Sequence, residues 1–370
     1  MKVPQFLPWI GEEEYAAIGD CFARNWITEG PQTQLFQEKL LELMQVRFGV
    51  FAPNGTLAIY LALRALDIGP GDEVIVPDFT FIGSANAVEM AGARPVFCDV
   101  HPGHCQIDLA SAEKSITPRT RAIMPVHIYG TVCEMDAVVD FAHRHRLLVV
   151  EDAAQAIGVH YREQHAGTFG DIGIFSFFAD KTITTAEGGF VVTNNSAIHE
   201  KLLFLRNQGR KERGTFIHPE IGYNFRMTDL QCAMGIVQLE KLPEIVRRKQ
   251  EIIALYRQLL QSVPQVRFFA PPAHAEWVPF RTPVFCERAH DLMTFLTSRE
   301  IESRTFFFPL HRQPAFRYLQ DDSSYSHSLE DGHFPQSITA YEDGVCLPIF
   351  PTLGIEQIEY VCATIREFYG

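Results

Sequence analysis

RAIMPVHIYGTVCEMDAVVDFAHRHRLLVVEDA, residues 121–153, decides the fold class. An apolar run (Arg121 to Gly130) leads into a helix-like stretch (Ala137 to Arg146) and then into a second apolar run (Leu147 to Ala153). Near-continuous apolar runs of this length suit strands of a sheet covered on both faces. Strand, helix and strand in succession is the unit of a parallel sheet. The same pattern extends upstream, where EVIVP (Glu73 to Pro77) and RPVFCDV (Arg94 to Val100) are strands and Leu57 to Leu66, after Asn54-Gly55-Thr56, is a helix. Downstream, GDIGIFSF (Gly170 to Phe177) and GGFVVT (Gly188 to Thr193) lie too close together for a helical crossover. The sheet is therefore expected to be mixed, though mostly parallel.

From Thr228 the pattern changes to a long helical stretch, capped by Thr228-Asp229 and expected to break or kink near Pro243. A domain boundary is expected there, giving a large α/β domain over residues 1–242 and a smaller C-terminal α/β domain over residues 243–370. Leu319 to Ser337 is polar and turn-rich, and is expected to be a surface loop. A length of 370 residues accommodates such a division.

Composition narrows the functions. With 32 Lys and Arg against 45 Asp and Glu, the formal charge is −13, which argues against sequence-independent nucleic-acid binding. No stretch approaches the roughly 20 apolar residues of a membrane span, and the first residues lack the apolar centre of a signal peptide. A cytoplasmic protein is expected. The eight cysteines form no CxxC pair, and neither they nor the 14 histidines show metal-ligand spacing. No metal site is expected, and the thiols are expected to be free and packed as small hydrophobes.

Four places carry possible chemistry. Lys181 follows a buried strand within Ser176-Phe177-Phe178-Ala179-Asp180-Lys181; alone, it fits an exposed strand end better. Asp152 ends an apolar strand at the edge where open α/β sheets hold ligands, although a helix cap explains it too. Asn54-Gly55-Thr56 opens a helix whose free N–H groups suit a phosphate, and it is also an ordinary turn. Phe81, in Phe79-Thr80-Phe81, follows another strand end and offers a ring to stack on a planar ligand; with 29 phenylalanines in the chain, a core role competes. Together they match pyridoxal 5'-phosphate (PLP) chemistry. A lysine forms the Schiff base, a carboxylate faces the ring nitrogen, an aromatic stacks and a glycine turn holds the phosphate.

At this point the chain resembles the DegT/DnrJ/EryC1/StrS sugar aminotransferases. The matching blocks are WITEGP, NGTLAIYLALRALDIGPGDEVIVPDFTFIGSANAV, PRTRAIMPVHIYG, EDAAQAIG, GDIGIFSFFADKTITTAEGGFVVT, GYNFRMTDLQCAMG and PLHRQP. Within that family it is most similar to perosamine synthase-like members, through Ile301 to Arg304 (IESR), the nearby PLH and FSFF–K–ITT. The resemblance implies a fold-type I PLP-dependent transferase, aspartate aminotransferase-like. It implies that Lys181 is the Schiff-base lysine and proton carrier, that Asp152 pairs with the pyridine nitrogen, and that Gln155 bonds the phenolic oxygen. Phe81 would stack on the ring, while Gly55, Thr56 and Ser176 would bind the phosphate. Asn224 would reach that phosphate from the neighbouring subunit of a homodimer. Glu187 and His311 would lie near the sugar.

The implied reaction moves an amino group from L-glutamate to a keto-sugar, foremost a nucleotide-linked 4-keto-6-deoxy sugar for cell-surface polysaccharide. A sugar without a nucleotide, such as an oxidised octulosonic acid, is an alternative. PLP-dependent dehydration of a deoxysugar is another, but dehydrating members carry histidine where this chain has Lys181. A non-catalytic regulatory protein would have lost the lysine or the carboxylate. Arg206, Arg210, Lys211, Arg213 and Arg226 are candidate anion binders, or a solvated basic face. One departure stands out. The family usually has glycine where Ala186 stands, and alanine would be strained if that position needs a positive φ.

Overall fold

The computed structural model describes residues 1–210 and 216–370. Its strands are β1 (Phe48–Ala52), β2 (Glu73–Pro77), β3 (Arg94–Cys98), β4 (Thr120–Ile123), β5 (Leu148–Asp152), β6 (His160–Tyr161), β7 (Gln164–His165), β8 (Ile172–Ser176), β9 (Gly189–Thr193), β10 (Val266–Phe268), β11 (Thr282–Cys286), β12 (Arg304–Thr305) and β13 (Gly344–Leu347). The helices are α1 (Glu12–Ala23), α2 (Pro31–Met44), α3 (Gly55–Ala65), α4 (Gly83–Met90), α5 (Leu109–Glu113), α6 (Met135–His145), α7 (Ser196–Arg206), α8 (Asp229–Leu260), α9 (Ala289–Ser298), α10 (Tyr318–Asp321), α11 (Pro335–Asp343) and α12 (Ile355–Tyr369).

Seven strands form the large sheet in the order β1-β9-β8-β5-β4-β2-β3. Pairings from β3 through β8 are parallel, and β9 runs antiparallel to both β8 and β1. The mixed sheet expected from the sequence is thus present, with one reversed strand. Successive residues bury on opposite faces. Ile75, Ile123 and Val149 join one core with Phe36, Phe141 and Phe175, whereas Val74, Val76, Ala122 and Val150 join another with Leu61, Leu63 and Val88. Each large apolar side chain so buried contributes roughly 1.5–3 kcal/mol.

The C-terminal part carries an antiparallel sheet, β10-β11-β13-β12, covered by α8, α9 and α12. Val3 belongs to the core of this C-terminal sheet, pairing with Ile301. The long helix α8 joins the large and small sheets: Leu242 and Ile245 pack into the large-sheet core that holds Phe36, and Ile252, Ile253 and Tyr256 into the C-terminal core. The position 242/243 falls inside this helix.

Two expectations need correction. The break at Pro243 is absent, because α8 runs through it; anchorage of both halves in hydrophobic cores outweighs the roughly 3 kcal/mol that an internal proline costs. The stretch from Leu319 to Ser337 is not simply a surface loop, since Leu319, Leu329 and Phe334 pack into the core of the large sheet. Among the described residues, no helix is long and apolar enough to cross a membrane.

Candidate active site

Strands β1, β2, β5 and β8 share one direction, so their C-terminal ends lie along one edge of the sheet. Each is followed by residues singled out above. After β1, Asn54 caps α3, its Oδ1 accepting from the N–H of Leu57 at 3.0 Å. The N–H groups of Gly55 and Thr56 in that first turn have no intrahelical acceptor. Ser176, ending β8, comes against them: a Cβ on Gly55 would stand 2.9 Å from the Ser176 Cβ and 3.1 Å from its Oγ. Gly189 lies between the two strand ends, paired with Ala52 and Ser176. A Cβ there would meet the Asn54 carbonyl oxygen at 2.4 Å. A Cβ on Gly83 would stand 2.8 Å from Thr56 Oγ1 and 3.1 Å from the Phe81 ring. Gly55, Thr56, Phe81 and Ser176 therefore share one patch.

The adjacent acids at the end of β5 part company, as alternating strand residues do. Glu151 is buried and fully engaged. It accepts from the N–H groups of Phe169 and Gly170 (both 2.6 Å) and Gly167 (2.8 Å), and pairs with Nε2 of His127 at 2.9 Å. Asp152 accepts from Ser84 Oγ at 2.6 Å and from the Ala154 N–H at 3.1 Å. Ser84, on α4, was not anticipated; its partner lies 68 residues away and a lone serine in a helix gives no signal. Gln155 is buried, its Oε1 accepting from the Tyr129 N–H at 2.8 Å. Its amide nitrogen makes no hydrogen bond among the described residues.

Lys181 sits in the turn after β8, its N–H donating to the Phe178 carbonyl at 2.9 Å. Its Nζ lies 4.6 Å from the centroid of the Phe280 ring. Burial pushes the basicity of this amine below that of an ordinary lysine, with Asp180 and Asp152 opposing the shift and Arg281 adding to it. A less basic lysine is a better nucleophile at neutral pH. Phe280, Asp180 and Arg281 were likewise not anticipated as neighbours.

Three further expected residues make no hydrogen bond to the residues of this patch among those described. Asn224 is exposed, bridged in backbone pairing to Asn207, with its Oδ1 accepting from Arg226 Nε at 2.9 Å. Glu187 has an exposed side chain, and its carbonyl accepts from Thr185 Oγ1 and Gln231 Nε2. His311 is enclosed: Nδ1 lies 2.8 Å from Asp78, Nε2 lies 3.2 Å from Asp331, and the ring stacks on Phe334. Both ring nitrogens have partners within the chain. Arg206, Arg210 and Arg226 line an open groove of about 1070 Å³ together with Trp26 and Glu29. Arg206 is paired with Glu29. Lys211 and Arg213 lie outside the described residues. Ala186 adopts φ +67°, the left-handed conformation that burdens an alanine.

The chain is similar to known proteins over almost its whole length. The model of the DegT/DnrJ/EryC1/StrS aminotransferase family matches residues 8–366. A GDP-perosamine synthase of Escherichia coli O157:H7 is 37% identical over 370 residues, covering 100% of this chain and 99% of the relative. That of Vibrio cholerae is 36% identical, with 100% and 99% covered. Among solved structures, DesV of S. venezuelae in complex with a ketimine intermediate superposes with a TM-score of 0.91 at 32% identity, covering 100% of this chain and 98% of that one. The PLP form of the putative sugar aminotransferase Spr1654 from Streptococcus pneumoniae gives 0.92 at 26% identity, with 99% and 98% covered.

Proposed function

The chain belongs to the DegT/DnrJ/EryC1/StrS aminotransferase family, and on that premise we propose that it aminates a GDP-linked 4-keto-6-deoxy sugar with L-glutamate as donor. It is a PLP-dependent sugar aminotransferase of the perosamine synthase-like kind, with the fold of that enzyme class. The choice of sugar and carrier rests on the end-to-end likeness to two GDP-perosamine synthases.

The residues fit the cofactor. A close approach that only glycine permits puts Ser176 against the open first turn of α3, a cradle for phosphate. A nearly buried carboxylate, Asp152, and an amine of lowered basicity, that of Lys181, complete the set. When bound, the cofactor supplies the electron sink for moving an amino group between carbons. We assign Lys181 as its covalent anchor and as the base that carries the proton. Asp152, steadied by Ser84 and the Ala154 N–H, holds the ring nitrogen protonated. Gln155 donates to the phenolic oxygen, Phe81 covers the ring, and Gly55, Thr56 and Ser176 take the phosphate.

A homodimer completes the reading, with Asn224 entering the partner's site. Its support is the exposure of Asn224 and of Phe216, Ile217 and Ile221 on the same segment, 74–86% exposed for the three apolar residues. Such apolar exposure marks an interface. All eight cysteines are free and buried, as suits a reducing cytoplasm. We propose two units, 1–242 and 243–370, divided within α8, with Val3 packed into the core of the second.

A panel of keto-sugars mixed with the pyridoxamine form tests the proposal. A GDP-linked 4-keto-6-deoxy sugar is expected to discharge the pyridoxamine absorbance fastest. Discharge by an oxidised octulosonic acid alone, or by UDP- or dTDP-linked sugars alone, would refute the substrate assignment.

A further inference from the structure

Asp180, the residue before Lys181, is where the two sheets meet. Its carboxylate pairs with Arg281, and its Oδ2 lies 3.6 Å from Nη1 of Arg304 on β12. Arg281 immediately precedes β11 and is 6% exposed. Its Nη1 donates to Gln5 Oε1 at 2.9 Å. Gln5 is itself tied down, its N–H donating to Glu302 at 3.1 Å and its carbonyl accepting from the Ile349 N–H at 3.2 Å. The preceding residue contributes too. The Phe280 ring has Arg281 Cζ 4.5 Å and Lys181 Nζ 4.6 Å from its centroid.

We infer that Arg281 is a positioning residue for Lys181, acting through Asp180 and the Phe280 ring. This rests on the reading of Lys181 as the cofactor lysine. A lysine amine on four flexible carbons in a turn needs its backbone fixed. A charge-assisted pair to a guanidinium whose second arm is anchored elsewhere supplies that. A lysine at 281 has no planar fork to span both acceptors. The charged groups facing the Lys181 amine are Asp180, Asp152 and Arg281. The nearly buried Lys249, from α8, interacts with Arg281 and Asp180. Unpaired, the Asp180 carboxylate would hold a proton on the amine; Arg281 offsets that charge.

Holoenzyme variants Arg281→Met, Asp180→Asn and their combination test this. The readouts are the pH midpoint of the visible band of the lysine-linked cofactor and the single-turnover rate with L-glutamate. Arg281→Met should move the midpoint up and slow the turnover about tenfold or more. Asp180→Asn should move the midpoint down. The double variant should turn over no more slowly than Arg281→Met, and Arg281→Lys should recover only part of the rate. Unmoved midpoints, or rate losses that multiply in the double variant, would overturn the inference. If Arg281→Met does not fold, the charge-keeping Arg281→Lys decides: a slowed turnover with little change of midpoint supports it, and an undiminished rate refutes it. A Lys181→Ala variant that still binds cofactor through a lysine would instead overturn the cofactor reading itself.

Discussion

The strand-end patch around Lys181 and the segment around Asn224 were expected to serve the same phosphate, yet the chain treats them differently. Gly55, Thr56, Ser84, Asp152 and Ser176 are set by strand ends of one sheet and buttressed by hydrogen bonds within the chain. Asn224 sits on an exposed segment with three bare apolar neighbours. On the proposed dimer, the site would be half-built on the sheet and half on this exposed segment of the partner. The first half should fail when its own residues change; the second should be rescuable by another chain.

The largest contrast lies between the adjacent acids of β5. Asp152→Asn should cut the rate of the glutamate half-reaction by roughly 10²–10³-fold with the fold intact, measured by single-turnover absorbance. Glu151→Gln should leave the cofactor linkage in place but lower stability by about 2 kcal/mol, measured by denaturant unfolding, because an amide nitrogen would meet one of the buried N–H donors that the carboxylate now accepts from. The reverse pattern would dissolve the distinction between the two acids.

Behind the patch, Lys249 interrupts the apolar face of α8 between Ile245 and Ile252. Burial, with Arg281 adding, lowers its pKa to about 7. Between that value and the unfolded value the unfolded chain binds the extra proton, so this group makes stability rise with pH across that window. Lys249→Met should therefore stabilise at about pH 7 by something on the order of 2 kcal/mol. The gain should shrink towards about pH 10, as thermal melts at several pH values will show.

At the open surface, Asn224→Ala should loosen cofactor retention about tenfold, or about 1.4 kcal/mol. Mixing it with Lys181→Ala should restore the original cofactor retention at one site per mixed dimer, read by cofactor release from subunit-exchanged protein. No restoration would place Asn224 outside the shared site. The smallest effect concerns Ala186. Glycine there relieves the positive φ at some entropic cost, for a net gain of about 0.5 kcal/mol in a melting experiment.

The legibility of these parts follows their range in sequence. EVIVP and LLVVEDA declare their strands because both faces are buried, and Asp152 and Lys181 could be found because each ends such a run. Ser84, Phe280 and Arg281 gave no sign, since their partners lie 68, 99 and 101 residues distant. A contact between two sheets leaves no local periodicity to read. The same holds for Leu319, Leu329 and Phe334, whose turn-rich surroundings conceal their burial. His311 was located by motif, but Asp78 and Asp331 on its two nitrogens appear only once the chain is folded.

The central claim is that one amine, that of Lys181, anchors the cofactor. Lys249 is its internal rival, being nearly buried and also of lowered basicity. Borohydride reduction of the holoenzyme, followed by digestion and peptide mass spectrometry, separates them. The account predicts the reduced cofactor on the peptide containing Lys181; its appearance on Lys249 or any other lysine, with Lys181 unmodified, would contradict it.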